Sequence, residues 1–247
     1  MDLGIKGRRA LVCGASRGLG FACAQALARE GVAVTLASRR RETLTLAAAR
    51  VEAETGVLPA TALADISTEA GRRHALAACP EPDILVTNAG GPPSMDFRDV
   101  ELAQWIEALQ ANFLSAVELI RAAVDGMVGR GFGRIVNITS LTVRLPVQQL
   151  DLSNATRLAL TGYVAGVARQ VAASNVTINN LLPGTIATER IRELGATADK
   201  LIAKVPMGRA GDPEEFGAAC AFLCSRQAAY ITAQNLLVDG GLCPFAV

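Results

Sequence analysis

The sequence predicts an α/β fold: one doubly wound parallel sheet with helices on both faces. Three observations carry that prediction. Short runs rich in Val, Ile, Leu and Ala alternate with helix-patterned stretches from end to end. The strand-like runs are apolar along both faces, as strands covered on each side must be. A glycine-rich turn, Gly14-Ala15-Ser16-Arg17-Gly18-Leu19-Gly20, joins the first run to the first helical stretch.

Taken in order, Arg9 to Cys13 reads as a buried strand, followed by the turn from Gly14 to Gly20. Leu19, Cys23, Ala26 and Leu27 then recur at helical spacing as far as Gly31, a C-terminal stop. Val32 to Leu36 is the next strand, and a helix is expected from Arg41 to Glu54. Further strands are expected at 57–63, 83–87, 133–138, 176–182 and 236–238, with helices at 68–77, 101–127, 152–173 and 213–223. No Ser/Gly-rich linker, charge block or internal repeat divides the chain, so residues 1–247 are expected to form one domain of Rossmann type.

Composition narrows the function classes. With 51% hydrophobic and 19% charged residues the chain is a folding sequence. Its 24 basic and 23 acidic residues leave a net charge of +1, which gives no electrostatic case for nucleic acid. No apolar run is long enough to cross a bilayer, and Met1-Asp2-Leu3-Gly4-Ile5-Lys6 lacks the pattern of a signal peptide. The six cysteines are scattered and are expected to be reduced and mostly buried, in a cytoplasmic protein. His74, the one histidine, lies in a polar helix and is expected to be solvated. Histidine triads and histidine-rich metal sites are thereby excluded, and no metal is expected.

The glycine turn is where chemistry enters. Between a strand and a helix, such a turn lets backbone N–H groups approach a pyrophosphate at the helix N-terminus. Its spacing is GxxxGxG, and Gly14, Ser16, Arg17, Gly18, Leu19 and Gly20 are candidate cofactor contacts. The second strand runs into Ser38-Arg39-Arg40-Arg41 with no Asp or Glu to accept from a ribose 2′-OH. Arg39 and Arg40, with Arg17 reaching the same group, instead suit a 2′-phosphate. NADP(H) is the expected cofactor and NAD(H) is disfavoured.

Further motifs occur in order: Asp65-Ile66, Asn88-Ala89-Gly90, Asn112, Ile135-Val136-Asn137-Ile138-Thr139-Ser140, Pro183-Gly184-Thr185-Ile186-Ala187-Thr188 and Val238-Asp239-Gly240-Gly241. Together they resemble a short-chain dehydrogenase/reductase of the 3-oxoacyl-carrier-protein-reductase-like branch, over nearly the whole chain. The resemblance implies that Asp65 and Ile66 flank the adenine and that Asn88, Ala89 and Gly90 line the adenosine side. It implies that Pro183, Gly184, Ile186 and Thr188 belong to the nicotinamide loop. It also implies that Ser140 hydrogen-bonds the substrate oxygen and that Asn112 positions a proton-relay water.

One departure falls at the centre of the site. The family's tyrosine, 13 residues after the serine, and the lysine four further on are here Ser153 and Arg157. Both remain on one helical face. A serine hydroxyl is far less acidic than a phenol, whose ordinary pKa is about 10, so Ser153 cannot inherit the tyrosine's task directly. Arg157 can still donate hydrogen bonds, to the nicotinamide ribose above all, but holds its proton. Tyr163 is about 15 Å further along the helix by helical rise. The combination of Asn-Ala-Gly-Gly-Pro with Ser-Asn-x-x-Arg is similar to a divergent bacterial group within the family.

Two functions compete. One is an NADP(H)-dependent reductase of a small-molecule carbonyl, 3-oxoacyl-type by resemblance, with Ser140, Asn112, Ser153 and Arg157 as the catalytic set. The other is a weak or inactive NADP(H)-binding sensor or scaffold. The segment from Thr188 to Met207 is expected to cover the substrate and to offer a modest apolar surface. Two apolar stripes, Phe113/Val117/Ile120/Val124 and Leu160/Val164, face either the sheet or a second subunit. A homodimer or homotetramer is implied by resemblance, with the apolar tail Pro244 to Val247 at the interface.

Overall fold

The computed structural model describes residues 1–244; Phe245, Ala246 and Val247, part of the expected interface tail, lie outside the described residues. The chain runs β1 (Arg9–Cys13), α1 (Gly18–Arg29), β2 (Ala33–Ser38), α2 (Arg41–Thr55), β3 (Ala60–Leu63), α3 (Glu69–Ala78), β4 (Ile84–Thr87), α4 (Leu102–Leu109), α5 (Ser115–Gly129), β5 (Gly133–Ile138), α6 (Asp151–Val171), β6 (Val176–Pro183), α7 (Glu189–Arg192), α8 (Ala196–Ile202), α9 (Pro213–Cys224) and β7 (Asn235–Val238). All seven strands pair in parallel, in the order β3-β2-β1-β4-β5-β6-β7. The strand order reverses between β1 and β4. At that switch the two connecting loops leave in opposite directions and open a crevice at the carboxyl ends of the strands.

Alternation along the strands builds two core layers. Ala10 and Val12 of β1 face the layer formed with α1, α2 and α9, whereas Leu11 and Cys13 face α3, α5 and α6. Each buried Leu, Ile or Val contributes roughly 1.5–3 kcal/mol relative to exposure. Ile120, Val124, Leu160 and Val164 are buried in the second layer, so these stripes serve the sheet. Phe113 is partly buried and meets Tyr163 edge-on, with ring centroids 6.4 Å apart. Five of the six cysteines are buried, and His74 is exposed. No helix among the described residues is long and apolar enough to cross a membrane.

Two expectations are corrected. The third strand begins at Ala60 rather than Val57: Pro59 cannot donate to a ladder, and Val57 and Leu58 are exposed. The helix expected over 101–127 is interrupted by one π turn, Gln110–Leu114, where the Ser115 N–H donates to Gln110 O five residues back. The covering segment between β6 and α9 contains two short helices, α7 and α8, for which no periodic stretch was long enough to speak.

A row of polar side chains ties the central strands together. Thr87, Asn137, Asn180 and Asn235 are register partners on β4, β5, β6 and β7. Thr87 Oγ1 donates to Asn137 Oδ1 (2.7 Å), Asn137 Nδ2 to Asn180 Oδ1 (3.1 Å) and Asn180 Nδ2 to Asn235 Oδ1 (2.8 Å). Each buried amide is thus satisfied by its neighbour, and the ladder stiffens the strand ends from which the site residues leave.

Candidate functional site

The glycine turn is shaped by close approach. Gly14 has φ +59, and a Cβ on Gly20 would lie 2.4 Å from Gly14 O and 2.8 Å from Asn88 Nδ2. Asn88 Nδ2 donates to Gly14 O at 3.3 Å, so the turn after β1 and the loop after β4 are tied across the switch point. Helix α1 begins without a side-chain cap and without an acid in its first turn. By contrast α3 is capped by Thr68, and α4 and α9 carry capping boxes from Glu101 and Asp212. The uncapped N–H groups of α1 and its positive dipole end fit the diphosphate of a dinucleotide.

At the end of β2, Ser38 Oγ donates to Ser16 Oγ (2.8 Å), which closes the turn against the strand. Arg39 reaches Asp65, its Nη1 3.9 Å from Oδ2, while Asp65 Oδ1 accepts from Ser67 N–H and Oγ–H. Arg40 is exposed at the start of α2. Ile66 is partly buried, and its carbonyl accepts from Arg72. Two serines and two arginines with a single, already hydrogen-bonded acid fit a phosphorylated ribose.

Arg17 stands in an exposed ion pair. Its guanidinium crosses to α7 and pairs with Glu189 (3.2 Å) and Glu193 (4.0 Å). The two carboxylates lie one helical turn apart and present one acceptor surface. Both partners are more than half exposed, so the pair is worth 1 kcal/mol at most by order of magnitude. Thr188, in the N-cap position of α7, lies against the turn: a Cβ on Gly18 would sit 3.7 Å from its Cγ2. Ile186 buries its side chain on Gly211, and Gly184 lies against Asp239.

The remaining candidate residues are built around α6. The π turn carrying Asn112 and the turn after Ser140 (Leu141–Val143) both pack on that helix. Ser140 Oγ accepts from Thr142 N–H (3.2 Å), which fixes the hydroxyl while leaving its own proton free to donate. Ser153, in the first turn of α6, is 6% exposed, and its hydroxyl has no hydrogen-bond partner among the described residues. Asn112 is 5% exposed; its Nδ2 donates to Ala108 O (3.4 Å), but Oδ1 has no partner. An orphaned buried carbonyl oxygen is costly unless something donates to it.

Arg157 is the most unusual group. It is 7% exposed, and Nη1 donates to Ile138 O (3.0 Å) while Nη2 reaches Ala89 O at a long 3.5 Å. One guanidinium therefore bridges the ends of β4 and β5. Burial first, and Arg190 second, push its pKa down to about 10. That is near an ordinary lysine, yet only about one molecule in a thousand would be neutral at pH 7. Tyr163 is engaged with Phe113, and burial pushes its phenol up. No group of metal-ligating side chains exists among the described residues. The amide ladder and the Arg17 pairs were not anticipated from sequence. Both depend on partners 43 or more residues away.

Comparison with known proteins follows this geometry. A family model described as enoyl-(acyl carrier protein) reductase matches residues 14–243. The gluconate 5-dehydrogenase of Gluconobacter oxydans (strain 621H) is 34% identical over 245 residues, covering 96% of this chain and 95% of the relative. A 3-oxoacyl-[acyl-carrier-protein] reductase of Vibrio harveyi is 32% identical over 242 residues, covering 97% and 99%. Among solved structures, L-sorbose reductase from Gluconobacter frateurii, in complex with NADPH and L-sorbose, superposes with a TM-score of 0.93 at 29% identity. That match covers 99% of this chain and 100% of the other.

Proposed function

The chain belongs to the short-chain dehydrogenase/reductase family of oxidoreductases, and from that premise we propose that it is an NADP(H)-dependent reductase of a small-molecule carbonyl. Gly14, Ser16, Gly18, Leu19 and Gly20 hold the diphosphate, with Arg17 at its edge. Arg39, Arg40 and Ser38 take the 2′-phosphate, and Asp65 and Ile66 flank the adenine. Asn88, Ala89 and Gly90 line the adenosine side, and Pro183, Gly184, Ile186 and Thr188 lie against the nicotinamide. The solved relative that holds NADPH supports this cofactor. When bound, NADPH supplies a hydride to the substrate carbon.

What the chain itself supplies is polarisation and a proton route. Ser140 donates its free hydroxyl proton as a hydrogen bond to the carbonyl oxygen, and Ser153 offers a second donor from α6. Two such donors stabilise the negative charge that develops on oxygen. The proton that finally resides there is relayed from bulk solvent through water held by Asn112 Oδ1, which takes up a solvent proton as it gives one, so no hydroxide is left in the site. Arg157 donates to Ile138 O at the end of β5, retains its charge, and would offer its remaining donors to the nicotinamide ribose. The observation that carries the reading is this unspent hydrogen-bonding capacity: the Ser140 proton, the Ser153 hydroxyl and the orphaned Asn112 oxygen all sit on elements packed against α6. The cytoplasm and a homodimer or homotetramer complete the proposal.

The test is Ser140→Ala. Loss of one polarising donor should lower kcat/KM by roughly 10²–10³-fold, and unaltered turnover would remove Ser140 from the mechanism. A second reading, a cofactor-binding sensor or scaffold, is favoured by the absence of a phenol from the site. Ser153→Tyr combined with Arg157→Lys separates the two. A large gain in turnover would show that the native pair is catalytically impaired, as a sensor allows.

A further inference from the structure

Two guanidinium groups converge on one short stretch of main chain at the carboxyl edge of the sheet. Arg157 comes from α6, nine-tenths buried, with Nη2 3.5 Å from Ala89 O. Arg190 comes from α7 and lies on Gly91, where a Cβ would stand 2.6 Å from its Nη1 and 3.3 Å from its Nη2. A side chain at position 91 would therefore displace Arg190. The loop that follows, Pro92-Pro93-Ser94-Met95, is held to the segment before α6 by the Met95 N–H, which donates to Gln149 O at 2.9 Å.

Neither guanidinium meets an acid. Among the described residues the ion pairs include neither Arg157 nor Arg190. The carboxylates beside Arg190, Glu189 of α7 and Glu193 just after it, are turned to Arg17. Arg157 uses two of its five N–H donors on carbonyl oxygens, and three are unspent. Burying a cation without a counter-charge, with a second cation facing it, is among the more expensive arrangements a fold can hold. The depressed Arg157 pKa reports that cost. Planar guanidinium pairs of this kind match the two oxygens of a carboxylate.

We propose that the carbonyl substrate carries a carboxylate, which Arg190 and Arg157 hold between the Ala89–Gly91 main chain and the Ser140 end of β5. This rests on the reading of the site as a carbonyl reductase and narrows its substrate to oxo acids. The carboxylate fixes one end of the molecule, so that the carbonyl is delivered to Ser140. The cofactor diphosphate offers the same anionic chemistry, and the experiment must separate the two sources.

The experiment has a binding arm and a turnover arm. In the first, protein loaded with NADP+ is titrated calorimetrically with levulinate and with methyl levulinate. In the second, NADPH oxidation is followed with pyruvate, acetoacetate and levulinate, each against its methyl ester. The acids should bind and turn over at least tenfold better. Arg190→Gln, on an exposed helix, should reduce that preference about ten- to hundredfold and shift the NADPH Kd by no more than about threefold. Equal treatment of acids and esters would overturn the proposal. So would an Arg190→Gln protein that loses NADPH affinity but keeps the preference, since the pair would then serve the diphosphate. Arg190-dependent binding of levulinate without any turnover would sink the reductase reading and leave the carboxylate site standing.

Discussion

Replacing Arg157 by methionine should leave the protein close to its original stability while removing function. The magnitude follows from the structure. The fall of the guanidinium pKa from its ordinary value to about 10 corresponds, at about 1.4 kcal/mol per pKa unit, to a penalty of about 3 kcal/mol for keeping the charge folded. Because Arg157 is almost fully buried, solvent screening does little to reduce that figure. Against it stands one good hydrogen bond from a charged donor, Nη1 to Ile138 O at 3.0 Å, worth about 1.5–3 kcal/mol. The contact to Ala89 O at 3.5 Å adds little. Methionine has a similar reach and fills the space without the charge. The two sides nearly cancel, so denaturant unfolding of Arg157→Met should fall within about 2 kcal/mol of the parent. The NADPH Kd should nevertheless rise at least tenfold through the lost donor. The sign of the pH dependence is definite: the folded-state pKa is depressed, so the penalty is fully present at every pH below about 10 and fades only as pH rises from there toward the ordinary arginine value. The stability difference between the two proteins should therefore be flat from pH 6 to 9. A loss above about 4 kcal/mol with unchanged NADPH affinity would refute the reasoning and make Arg157 a structural strut.

Other substitutions probe the rest of the account. Gly20→Ala forces a Cβ onto Gly14 O and Asn88 Nδ2, so it should cost about 1–3 kcal/mol in denaturant unfolding and raise the NADPH Kd more than tenfold. Asn137→Ala removes the middle of the amide ladder and leaves Thr87 and Asn180 short of a partner; a loss of about 2–4 kcal/mol is expected by the same assay. Arg39→Ala with Arg40→Ala should weaken NADPH binding about ten- to hundredfold and leave NADH binding within about threefold, as read by nicotinamide fluorescence.

What was legible in the sequence was what local chemistry determines. The strand Arg9–Cys13, the glycine turn and α1 follow from adjacent residues, as does the start of α9, where Asp212, Pro213 and Glu215 form a capping box around an N-terminal proline. The π turn at Asn112 was not legible, because an extra residue in a helical turn is held by packing against α6 and leaves no periodic trace. Register hid the amide ladder: three asparagines and a threonine become partners only once four strands are aligned. Ser140, Ser153 and Asn112 could be placed by motif. The convergence of Arg157 and Arg190 on Ala89–Gly91 joins three separate elements and required the fold. The ion pairs of Arg17 were hidden for the same reason, since Glu189 and Glu193 are 172 and 176 residues away.

The central claim is a reductase that works with NADPH and without the usual phenol. Its most direct test is steady-state oxidation of NADPH by the purified protein with oxo acids, ketones, aldehydes and 3-oxoacyl thioesters, run in parallel with NADH. Substrate-dependent oxidation, with kcat/KM for NADPH at least tenfold above that for NADH, is the result expected. Tight NADPH binding with no substrate-dependent oxidation by any of these carbonyl classes, or an equal or better rate with NADH, would contradict it.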